Sequence, residues 1–130
     1  MTEDILVPKL KSRFVEWEIP IKWPNEVFPK KDGQEYIRVE IFPADASFSG
    51  IGTLKEKSSG LIRVTVFIPR FTGSARAGQL AGDALDLLKG WGDGGLQCYA
   101  GKVYPGPQQP IWLQRNVDVK YKYNQCVEVL

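Results

Sequence analysis

Leu61-Ile62-Arg63-Val64-Thr65-Val66-Phe67-Ile68-Pro69 is the stretch that decides the fold. Ile62, Val64, Val66 and Ile68 recur at every second position, the period that puts them on one face of a β-strand. Pro69 has no amide to donate, so the strand is expected to stop there. Upstream, Lys57, Ser58, Ser59 and Gly60 read as a turn. Residues 46–56 then read as a weaker strand, loosened by Gly50 and Gly52, and the two form a long hairpin. Earlier still, Tyr36–Phe42 alternates Ile37, Val39 and Ile41 against Tyr36, Arg38, Glu40 and Phe42, and Pro43 is expected to end it.

Downstream, the pattern changes from period two to a helical stripe. Ala77, Leu80, Ala81, Ala84 and Leu88 lie on one face, and Arg76, Gln79, Asp83 and Asp86 lie on the other. Ser74 is the expected N-cap and Gly90 the left-handed stop. The loop to Gly95 leads to a short strand, Leu96–Tyr99. Gly101 is read as a turn, and Lys102–Tyr104 as the returning strand. The stiff segment Pro105–Pro110 precedes a last strand, Trp112–Tyr123. There Val117, Val119, Tyr121 and Tyr123 oppose Asn116, Asp118, Lys120 and Lys122. At the other end, Leu6, Leu10, Phe14 and Trp17 share a helical stripe and predict a helix over residues 4–17. Pro20 and Pro24 then require an extended connection. The order of elements predicts an α+β fold of one domain, residues 1–130, with two helices on one face of a mostly antiparallel sheet that carries a long hairpin.

Composition narrows the function. The chain has 130 residues and is 43% hydrophobic and 25% charged, which suits a single globular core. It contains no histidine, which removes histidine bases, histidine-dependent nucleophiles and histidine-ligated metals. Cys98 and Cys126 are too few for a disulfide scaffold or a zinc site, and are read as reduced and structural. A net charge of +2 is low for a dedicated duplex binder. The N-terminus carries Glu3 and Asp4 and has no apolar core of a signal peptide. No run reaches the ~20 apolar residues of a membrane helix, so a protein made in the cytoplasm without membrane contact is expected.

The residues that invite a chemical reading each have a plainer one. Gly90, Gly92, Gly94 and Gly95 follow a helix and open a strand, the reverse of a phosphate-binding loop, and read as a helix stop and loop. Asp83 and Asp86 sit on a wet helix face, where solvated charges are the norm rather than an acid/base pair. Lys120 and Lys122 alternate with Tyr121 and Tyr123, so basic and aromatic groups face apart, unlike a single-strand stacking platform. Trp17 and Trp23 read as core. Trp91 and Trp112 lie in or beside Gly- and Pro-rich loops, where a tryptophan either packs locally or serves a subunit contact. No cofactor or metal site and no catalytic constellation assemble.

Several segments together resemble the tail terminator-like family of long-tailed bacteriophages. They are Arg13-Phe14-Val15-Glu16-Trp17 with Ile21-Lys22-Trp23-Pro24-Asn25 and Phe28-Pro29, then Tyr36–Ala44, Gly60–Pro69 with the Ala-rich helix, and Trp112–Tyr121. Their order and spacing carry the resemblance over residues 5–123. The Pro-rich stretch 105–110 has no counterpart in it. The resemblance implies a non-enzymatic virion protein at the neck end of the tail. It implies a hexameric ring that caps the tail tube, stops its polymerisation and joins head-completion proteins, with DNA passing through the lumen without specific binding. Expected contact residues are Phe48 and Ile51 on the hairpin, Arg70 after the strand that opened this section, Trp91 and Trp112. Strand edges at 46–56 and 112–123 are expected to extend the sheet between neighbours. A neck or connector protein and a small nucleic-acid-binding protein are the alternative readings.

Overall fold

The structure is a computed structural model that describes residues 2–28, 34–49, 53–70, 74–107 and 111–128. Side chains are described for 5–28, 34–44, 58–70, 75–107 and 111–124. The elements are α1 (Thr2–Arg13), β1 (Ile21–Lys22), β2 (Tyr36–Ser49), β3 (Thr53–Pro69), α2 (Ser74–Leu88), β4 (Gly92–Asp93), β5 (Leu96–Pro105) and β6 (Trp112–Glu128). Six strands form one sheet in the order β1-β2-β3-β6-β5-β4, antiparallel except where β1 runs parallel to β2. This is the expected α+β architecture.

One face of the sheet is covered by both helices. Ile37, Val39 and Ile41 of β2, the four alternating residues of β3, Leu96 and Cys98 of β5, and Val117, Val119 and Tyr121 of β6 form a single buried cluster. Leu6, Leu10 and Phe14 reach it from α1, and Ala77, Leu80, Ala81, Ala84 and Leu88 from α2. The small residues of α2 let its backbone approach the sheet. Each large aliphatic side chain so buried contributes about 1.5–3 kcal/mol. Gly90 takes φ +69° and ends α2, as its position predicts.

The strand bounds depart from expectation in an instructive way. Pro43 does not end its strand. The chain passes it with a bulge between Pro43 and Asp45, so residues 46–49 of the second predicted strand continue the first as β2, while 53–56 belong to β3. The predicted turn at Lys57–Gly60 is strand interior, paired with β2 on one side and β6 on the other. The two strands of the hairpin stay paired out to Ser49 and Lys55, and Gly50 and Gly52 lie outside the described residues. Gly60 serves space rather than a turn: a Cβ there would meet the Phe42 carbonyl oxygen and sit 2.8 Å from the Tyr121 hydroxyl and 2.9 Å from its ring. Likewise, β5 runs through Gly101 with a bulge between Cys98 and Gly101 instead of turning. α1 ends at Arg13, four residues short of the predicted Trp17. Pro20 forces the backbone before it to extend, and the chain unwinds through tight turns, Val15 N–H to the Ser12 carbonyl at 3.4 Å and Trp17 N–H to the Phe14 carbonyl at 3.0 Å. β6 is not an edge. Over residues 115–123 it pairs with both β3 and β5, so that stretch cannot add a neighbour's strand, and neither can 53–56 of β3; residues 46–49 of β2 pair with β3 alone.

Candidate subunit and partner interface

The second face of the sheet carries no helix, and its side chains come in rows set by the strand register. At one end Tyr36, Phe67 and Trp112 form a buried aromatic cluster. Tyr36 stacks on Phe67 with centroids 4.5 Å apart, and Trp112 meets Tyr36 edge-on at 5.4 Å. Phe28 packs on Tyr36 from the connection before β2. Burial pushes the Tyr36 pKa up, partly offset by Arg38.

The next rows are polar and paired. Thr65 donates to Asn116 Oδ1 at 2.9 Å. Beyond it, Glu40, Arg63, Asp118 and Lys102 alternate in sign across four neighbouring strands. Arg63 grips Asp118 with two bonds, 2.8 and 3.2 Å, and the Tyr104 hydroxyl donates to the same carboxylate at 2.8 Å. Burial works to raise the Asp118 pKa, but the hydrogen bonds from Arg63 and Tyr104 and the nearby positive charges outweigh it and hold the carboxyl below its ordinary range. Arg38 and Arg63 also lie over the rings of Phe67 and Phe42, each at 5.1 Å.

Past this row the face hollows into an apolar groove of about 620 Å³ lined by Phe42, Leu61 and Tyr99, with Lys120 and Lys122 among its walls. The groove sits where both outer strands are bulged, because Pro43, Gly60, Tyr121 and Cys98 form one row across the sheet. Tyr121 belongs to the opposite, buried face, and its hydroxyl is buried without a hydrogen-bond partner among the described residues. Cys98 in the same row is a buried free thiol, its pKa pushed up to about 11 by burial. Among the described residues no group of acidic or thiol side chains could hold a metal ion, and no helix is long and apolar enough to cross a membrane.

The sequence-predicted contact residues do not form one patch. Arg70 is exposed just after β3, its amide bonded to the Ile111 carbonyl at 2.8 Å, and Trp112 pairs with Pro69 beside it. Those two residues share an end of the sheet. Trp112 is only 9% exposed, so the side chain offered to solvent there is Ile111, at 68%. Trp91 is half-buried under α2, packed on the core with Arg13 over its ring at 5.7 Å. Phe48 lies on β2 far along the hairpin, its side chain outside those described, and Ile51 is outside the described residues altogether. Sequence reasoning missed that Tyr36, Phe67, Arg63 and Asp118 come together on the helix-free face. The signal was present: the polar side of each alternation carries Tyr, Phe and Arg rather than only small hydrophilic residues.

Paired charges, stacked rings and an apolar groove on an otherwise bare sheet are the equipment of a protein that works by contact. The comparisons name the kind. A family model described as phage tail terminator protein matches residues 6–121, and the chain belongs to that family, a structural component of the virion tail. A solved structure, whose name states no function, superposes with a TM-score of 0.70 over 95% of this chain and 96% of its own, at 20% identity, which shows the shared fold. No curated protein matches.

Proposed function

We propose that the whole chain acts as one domain that assembles with copies of itself into a hexameric ring. The ring closes the head-proximal end of the tail tube, stops its growth and offers its other side to head-completion proteins, with DNA passing through the lumen without specific binding. A tube subunit presents an endlessly repeatable interface, so growth stops only when something occupies the growing end. The observation that carries this reading is the three-stranded arm. β2, β3 and β6 stay paired past the last core rung, Ser58–Tyr123–Leu96, to the rung Ser49–Lys55–Cys126, roughly 10 Å further at ~3.3 Å per residue. Such an arm is a natural contact element; it carries Phe48, and the proposed contact residues further include Ile51, with Arg70, Trp91 and Trp112 at the body. Removing this protein from its phage is expected to give over-length tubes that fail to join heads, and Phe48→Asp or Ile51→Asp to do the same while the subunit stays folded. Head-joined tails of normal length in the deletion strain would overturn the assignment. Tubes of normal length that fail only to join heads would favour a connector instead.

A further inference from the structure

We propose that the groove on the helix-free face receives the α1–α2 end of a second copy of this chain, an assignment that rests on the ring reading above. The groove is apolar at its floor and basic at its wall. Phe42 and Tyr99 are 40% and 43% exposed, and Lys120 has no ion-pair partner among the described residues. On the opposite, helical layer, a second hollow of about 560 Å³ has the complementary make-up. Val15 stands 78% exposed beside Glu16, with Asp83 and Asp86 of α2 around it. Neither Glu16 nor Asp83 has an ion-pair partner among the described residues. Arg13, the cation of that hollow, is exposed but engaged within the subunit, donating to the Leu87 carbonyl at 2.7 Å and lying over Trp91.

Two surfaces of opposite charge, each with an exposed apolar centre, thus lie on opposite sides of a two-layer subunit. Placed head to tail, they make a heterologous contact, the kind that closes into a ring when its rotation completes a circle. Val15 would enter the groove between Phe42 and Tyr99, while Glu16 and Asp83 meet Lys120 and Lys122. All four charged side chains are exposed, so reversing them leaves the core untouched.

The test uses two variants of the full chain. Lys120→Glu with Lys122→Glu makes both surfaces acidic, and Glu16→Lys with Asp83→Lys makes both basic. Assembly is read by native mass and negative-stain images, alone and on purified tail tubes. The structure predicts that each variant drops from ring to single subunit. It further predicts that mixing the two restores rings of alternating copies, and that all four substitutions in one chain restore them as well. Rings from either variant by itself, or two monomeric variants that stay monomeric on mixing, would overturn this docking and leave the ring reading intact. A wild-type chain that forms no ring even on tubes would overturn the ring reading itself, and this inference with it.

Discussion

Asp118 shows how a single residue of the bare face ties three strands together. Its carboxylate accepts two bonds from Arg63 on β3 and one from Tyr104 on β5, and only 10% of its side chain is exposed. A carboxyl whose pKa is depressed on folding stabilises the fold above its unfolded pKa, and the contribution is lost as pH falls through the folded value. Asp118→Asn is therefore expected to cost about 1–3 kcal/mol near neutral pH, since it sets an amide donor against Arg63. The gap from wild type should shrink as pH falls below about 4, where the carboxyl of the unfolded chain takes up its proton before that of the folded one. Urea unfolding of both proteins near neutral pH and near pH 3 checks this, and a gap of equal size at both would contradict it. The alternation of Val117, Val119 and Tyr121 foretold that Asp118 faces away from the core. It did not foretell that Arg63, 55 positions earlier, stands opposite, because that depends on strand order.

Among the elements, the bulged row through Pro43, Gly60, Tyr121 and Cys98 is where sequence reading and structure part. Proline and a Lys-Ser-Ser-Gly run are punctuation in isolation, and from sequence they predict a strand end and a turn. A bulge lets an edge strand carry Pro43, and Gly60 is needed because the Tyr121 ring occupies the space beside it. Gly60→Ala is expected to destabilise by about 1–3 kcal/mol, the usual cost of overpacking, with the Phe42 carbonyl unable to yield. Thermal unfolding measures it, and an unchanged melting temperature would show that Tyr121 swings aside freely. α2 was legible almost to the residue, because stripe, cap and glycine stop agree on it. So was the buried face of β3. The two-residue strands β1 and β4 were not, since a ladder so short leaves no period to read.

For the whole molecule, charge sets what passes by it. A net +2 spread over paired rows gives little attraction for a polyanion. Binding to duplex DNA is expected to be weak, independent of sequence and lost by about 0.15 M salt, as suits a conduit through which DNA must slide. Fluorescence anisotropy across a salt series measures this. Tight binding at that salt, abolished by Lys120→Ala with Lys122→Ala, would put a nucleic-acid role first. The predicted contact residues were chosen by residue type and loop position. Neither shows that Trp112 would be sealed into a cluster with Tyr36 and Phe67, which only the register of three strands brings together.

The strand order also governs when the subunit comes into being. β2 with β3, and β5 with β6, are neighbours in the chain and can zip up locally, but the two hairpins become one sheet only through β3 and β6. That seam pairs Thr53 with Glu128 and Pro69 with Trp112. Contacts so distant along the chain make folding slow and late. On the ribosome, β3 must wait for β6, with one side of its ladder open and its apolar face only partly roofed. A nascent chain halted before Trp112 would hold neither the seam nor the Arg63–Asp118 grip, so an unfinished copy has no complete surface with which to enter an assembly and spoil it.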